Sequence, residues 1–168
     1  MMTANPLEFN PDAISIAIKS SNVIQINTGD VKMNISIHSH NPELKVSEQY
    51  FLVVDNTPQV PTLGKGMKNN EAVTVLTLSP EDVIRMMSLQ NKMKSHLKNG
   101  GKTDNFGFSV FVLKGCKNTN NIPSNVFISL FLKLDARSDF FSLYDNFNIG
   151  QADLSPLENL ENWDDCKH

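Results

Sequence analysis

Residues 72–82, AVTVLTLSPED, hand a strand over to a helix within a few positions, and this junction decides the fold class. Valine, threonine and leucine alternate through 72–78, as a pleated strand favours. Ser79 offers a side-chain oxygen to the first unpaired amides of a helix. Pro80 suits the first helical position, and Glu81 and Asp82 put carboxylates where the helix dipole welcomes them. Beyond the junction, Val83, Met86, Met87, Met93 and Leu97 share a stripe at helical spacing until Asn99-Gly100-Gly101 stops it, which predicts a helix over 80–98.

Outward from the junction the chain reads mostly as strands. AISIAIK at 13–19, VIQIN at 23–27 and the run 31–40 alternate apolar and polar residues, predicting a three-stranded meander with one wet face. YFLVVD at 50–55 is more uniformly apolar and reads as a central strand. FGFSVFVL at 106–113 and VFISLFLKL at 126–134 predict two strong strands, most simply paired as a hairpin. Phe140, Phe141, Leu143, Tyr144 and Phe147 fit a short helix near 139–147. Residues 56–70, with two prolines and two glycines, read as a long loop. The expected fold is α+β: a mainly antiparallel sheet of about seven strands in one domain over 1–150, followed by a tail over 151–168.

The composition is that of an ordinary globular chain: 168 residues, 40% hydrophobic and 20% charged, with a net charge of −3. The negative charge belongs to residues 151–168, which hold five acids and one lysine. Between Arg85 and Lys117, by contrast, Lys92, Lys94, Lys98, Lys102 and Lys114 face the single acid Asp104. No stretch approaches the ~20 apolar residues of a spanning helix, so no membrane contact is expected. The first residues, MMTANPLEFNPDA, lack a basic flank followed by an apolar run, which with the absent spanning stretch predicts a cytoplasmic protein, and Cys116 and Cys166, far apart and without metal-ligand spacing, predict two free thiols.

An echo links Lys65-Gly66-Met67-Lys68-Asn69-Asn70 to Lys114-Gly115-Cys116-Lys117-Asn118-Thr119, and suggests two β-then-α halves, 13–98 and 105–148. With Leu78-Ser79-Pro80-Glu81 entering the helix, the layout resembles the Whirly and transcriptional-coactivator class of single-stranded DNA binders over at most residues 13–147. That resemblance implies antiparallel strands feeding a helix, binding of single-stranded DNA, and an acidic tail that competes for the basic surface or recruits partners. The second half departs from the pattern by showing only two clear strands.

Catalytic signatures are absent from the reading. Gly64-Lys65-Gly66 lacks the Ser or Thr that closes a phosphate loop, and no nucleophile elbow, dinucleotide fingerprint or HExxH helix occurs, so neither an enzyme nor a cofactor is expected. His38 and His40 share a strand face but have no evident third metal ligand. The strand at 126–134 is more informative. Val126, Ile128, Leu130, Leu132 and Leu134 supply an aliphatic face, and Phe127, Ser129, Phe131 and Lys133 a mixed one, with Phe111 expected to join it from the neighbouring strand.

Rings stack bases and lysines track phosphates, so the leading expectation is a single-stranded nucleic-acid binder. Phe111, Phe127, Phe131 and Lys133 would form its platform, with Lys65, Lys68, Lys102, Lys114 and Lys117 reaching in from loops. The alternative is a protein-interaction module, such as an inhibitor, adaptor or chaperone-like factor of a mobile element or secretion system. It would bind its partner through the tail residues Leu157, Leu160, Trp163, Asp164 and Asp165. Either protein has sheet edges to cover, and self-association would cover them.

Overall fold

Ile16 and Ile18 in one strand, Met33, Ile35 and Ile37 in a second and Ile128, Leu130 and Leu132 in a third are buried at alternate positions, and they supply most of one continuous core drawn from two sheets. The structure is a computed structural model that describes residues 6–38, 45–56, 67–100, 105–150 and 154–167. The five-stranded sheet contains β1 (Ser15–Ser21), β5 (Val53–Val54), β6 (Glu71–Thr77), β9 (Phe127–Lys133) and β10 (Phe141–Asn148), in the order β10-β9-β1-β6-β5. The three-stranded sheet contains β3 (Val31–His38), β4 (Val46–Phe51) and β7 (Asn105–Val112), in the order β4-β3-β7. A short ladder joins β2 (Ile24–Gln25) to β8 (Cys116–Lys117), and every pairing in the three sheets is antiparallel. The helix α1 (Pro80–Lys98) completes a mainly antiparallel α+β fold.

The expected meander does not form. β1 lies between β6 and β9, whereas β3 lies between β4 and β7 in the other sheet, and residues 22–30 carry the chain across. The reason is the core itself: Ile16 and Ile18 of β1 and Met33, Ile35 and Ile37 of β3 are all buried, and a two-layer core draws its apolar faces from opposing sheets. The expected hairpin fails for the same reason, since β7 pairs with β3 while β9 pairs with β1 and β10. Phe111 therefore does not join Phe127 and Phe131. The run 50–55 is not a central strand either: β4 and β5 are edge strands of different sheets, and the buried Leu52 marks the crossing between them.

Residues 139–147 form no helix but the edge strand β10. Register shifts between Ser142 and Tyr144 and between Tyr144 and Phe147 place Phe141, Tyr144 and Phe147 opposite Leu132, Leu130 and Ile128. Two bulges in succession thus give a strand an inward spacing of three, which imitates a helix. The second half of the chain accordingly ends in a strand, and ten strands replace the expected seven among the described residues.

The helix keeps its expected bounds. Ser79 Oγ accepts the Asp82 backbone N–H at 3.2 Å, and Gly100 ends the last turn at φ +86, a conformation open to glycine. Its buried stripe is Met86, Leu89, Gln90 and Met93, with Met87 and Leu97 left outside. Gln90 ties it to the N-terminal segment by donating to the Phe9 carbonyl at 2.8 Å. Arg85 bridges Glu48 and Asp82 and lies 4.8 Å from the Tyr50 ring centroid, so α1 flanks the β4 edge. The side of the sandwich carrying β4 and β5 is therefore closed by the crossing chain and the helix.

Tyr50 is wholly buried, and its hydroxyl has no hydrogen-bond partner among the described residues. Burial, reinforced by the Glu48 charge and opposed by Arg85, pushes that hydroxyl up to about 12. A buried, unpaired hydroxyl costs stability while the ring contributes packing. Tyr50→Phe is therefore expected to leave urea unfolding unchanged or to raise stability by about 1 kcal/mol. A loss of that size would mean that the hydroxyl has a partner in solution.

Candidate interaction cleft and its surroundings

The side of the sandwich away from α1 is bounded by β7 and β10, each paired on one side only. Between them lies an apolar cleft of about 310 Å³, floored by Ile128 and Leu130. Val110 and Val112 form one wall and Tyr144 and Phe147 the other, with Leu154 and Leu157 at one end. The cleft continues along the strands as a second hollow of about 280 Å³ between Phe108 and Leu143. Tyr144 is 56% exposed and Phe147 42%, with ring centroids 6.0 Å apart. Rings this large left in water beside an apolar floor are the usual mark of a contact surface.

β10 owes its shape to Ser129. Its hydroxyl donates to Asp145 at 3.0 Å and accepts the Asn146 backbone N–H at 3.1 Å, while Asn146 adopts a φ of 50. The bulge so fixed folds Asp145 and Asn146 over the outer side of β9 and presents Tyr144 and Phe147 to the cleft. β7, by contrast, pairs with β3 without interruption over all eight of its residues. The two rims thus differ: one is a regular edge, the other an irregular one blunted against pairing.

The far end of the cleft is set by the C-terminal segment. Cys116 and Cys166 form a disulfide that closes a 50-residue separation, so neither is the free thiol expected from spacing. Sequence distance hid the pairing because β8 and the last residues meet only in the fold. Lys117 N–H donates to the Asp164 carbonyl, and Cys166 N–H donates to the Lys117 carbonyl, both at 2.8 Å. Trp163 is 3% exposed, and its indole N–H donates to the Glu158 carbonyl at 2.8 Å. A Cβ on Gly115 would lie 2.8 Å from the Trp163 ring and 2.5 Å from the Gln25 carbonyl, so only glycine admits this docking.

The residues singled out from sequence scatter. The aliphatic face of β9 is buried as expected. On its mixed face Phe127 is 48% exposed, Phe131 and Lys133 are half-buried, and Ser129 is covered by the β10 bulge. Lys133 sits 5.8 Å from the Phe140 ring, at the opposite end of β9 from Phe127. Lys114 adjoins the buried Asp30, whose carboxyl burial pushes upward while Asn27 and Lys114 pull it down. The Lys117 ammonium reaches the Glu161 carbonyl at 3.5 Å, and Lys68 lies in an exposed turn before β6. Lys65, Lys102 and His40 fall outside the described residues. Of the tail residues, Leu160 and Trp163 are spent on the chain's own core, Leu157 lines the cleft, and Asp164 and Asp165 are exposed. The cleft residues Tyr144 and Phe147 had a signal in sequence, the ring-rich run 140–147, but it reads as a helix, and Val110 lies in the strand expected at 106–113.

No described helix is long and apolar enough to cross a membrane, and no group of three metal-ligating side chains occurs among the described residues. Fold and surface together define the class as an antiparallel two-sheet sandwich, closed on one side by a helix and open on the other. No protein-family model, curated protein or solved structure gives a significant match to this chain.

Proposed function

We propose that this chain is a non-enzymatic protein-interaction module that takes an extended polypeptide segment into the cleft between β7 and β10. The observation that carries the reading is the unequal size of the two sheets. Three strands face five, the helix and the β4–β5 crossing cover one side, and at the other the exposed rings of Tyr144 and Phe147 rim a cleft over Ile128 and Leu130. A segment pairing with the regular edge of β7 would add a fourth strand to the smaller sheet. Its alternate side chains would lie on Ile128, Leu130, Tyr144 and Phe147, so that backbone pairing supplies affinity and the cleft supplies selectivity. The preferred segment is extended, with apolar residues at every second position.

The disulfide supports placing this module in an oxidising compartment, where such bridges persist, in place of the cytoplasm expected from the first residues and the absent spanning stretch. Selection of displayed random peptides on the protein tests the proposal. Enriched sequences are expected to alternate apolar and polar residues, to slow hydrogen exchange at β7 amides, and to bind Tyr144→Asp/Phe147→Asp at least about tenfold more weakly. Failure to enrich any sequence, or equal binding to the double variant, would overturn it.

A further inference from the structure

The outer face of the three-stranded sheet carries a second surface, which meets the cleft at Ser109 and Phe111 of β7 and runs away from it to Phe51 of β4. Burial of Met33, Ile35 and Tyr50 turns Lys32, Asn34 and Ser36 of β3 outward, and register places their neighbours. Phe51 and Phe111 flank Lys32, Gln49 and Ser109 flank Asn34, and Ser47 and Gly107 flank Ser36. None of these outward positions carries a carboxylate, in a chain with 18 Asp and Glu residues. Phe51 is 50% exposed, and the Lys32 ammonium lies 5.7 Å from the Phe111 ring centroid. Asn34 stands at the middle of the face between Gln49 and Ser109, its side-chain oxygen buried without a hydrogen-bond partner among the described residues.

The geometry points to this face as a binding site for single-stranded nucleic acid. Two rings held about 10 Å apart across β3 give flat apolar surfaces on which bases stack, and the Lys32 ammonium between them meets a phosphate. Ser47 and Gln49, both exposed, and Ser109 offer neutral polar groups beside the rings. The missing carboxylates matter as much as the groups present, because an acid on this face would repel the backbone of the strand. The Phe127 and Phe131 face lacks this arrangement, since Asp145 overhangs its centre.

The test is fluorescence anisotropy of the full chain with labelled oligothymidine and oligoadenine of about ten nucleotides, at the span of a small stacking platform. Phe51→Ala is expected to weaken binding about tenfold, one stacked base, and Lys32→Gln to weaken it a few-fold. One phosphate contact predicts that Kd rises only about two- to fourfold between about 50 and 200 mM salt. Phe51→Ala, whose ring lies outside the cleft, should leave binding of cleft-selected peptides unchanged while it weakens oligonucleotide binding, which separates the two sites. No binding at low salt, equal binding by Phe51→Ala and Lys32→Gln, or displacement by heparin with a steep salt dependence would each overturn the assignment, the last by showing a generic polyanion surface elsewhere.

Discussion

Replacing Cys116 and Cys166 together by serine lowers the free energy of unfolding by about 2–5 kcal/mol. The bridge closes a 50-residue separation, and a cross-link over such a loop removes much of the conformational freedom of the unfolded chain. Part of the loss is local. The segment 154–167 holds to the body through the disulfide, a few backbone hydrogen bonds to Leu113 and Lys117, and the buried Leu160 and Trp163. Urea unfolding of wild type with and without a dithiol reductant measures the total, and reduced wild type should match the double serine variant. Trp163 is the only tryptophan, so its emission reports the segment by itself and should shift to the red before the body unfolds. Identical stability and unchanged emission after reduction would show that the segment docks without its bridge.

Leu132→Ala and Phe127→Ala, five residues apart on β9, should behave very differently. Leu132 is wholly buried and faces the core between the two sheets, so its truncation leaves a cavity and costs about 2–5 kcal/mol. Phe127 lies half in water on the opposite face, and its removal should cost less than about 1 kcal/mol. Denaturant midpoints at equal slope decide between them. Comparable losses would mean that the mixed face is covered in solution and that the cleft is not the main uncovered apolar surface.

The contrast between α1 and β10 shows how far the sequence could be read. Ser79, Pro80 and Gly100 act on their own backbone neighbours, so the bounds of α1 were legible without any tertiary partner. The buried face of β9 was legible too, because strict alternation survives any choice of neighbouring strand. β10 was not, since its inward residues recur every third position only after two bulges, one of them held by Ser129 from the adjacent strand. The outer face of the smaller sheet was half legible: Phe111 was expected on a mixed face, but its strand pairs with β3 and not with β9, which changes the residues beside it.

Local chemistry in the chain therefore determined the class of fold, the helix and its ends, and which face of each regular strand is apolar, because those depend on groups a few residues apart. Tertiary structure alone decided which strands meet, that Cys116 finds Cys166, and that one side of the sandwich is left open. Those outcomes depend on burying several apolar faces against one another at once, and many pairings of the same strands satisfy the local pattern equally well.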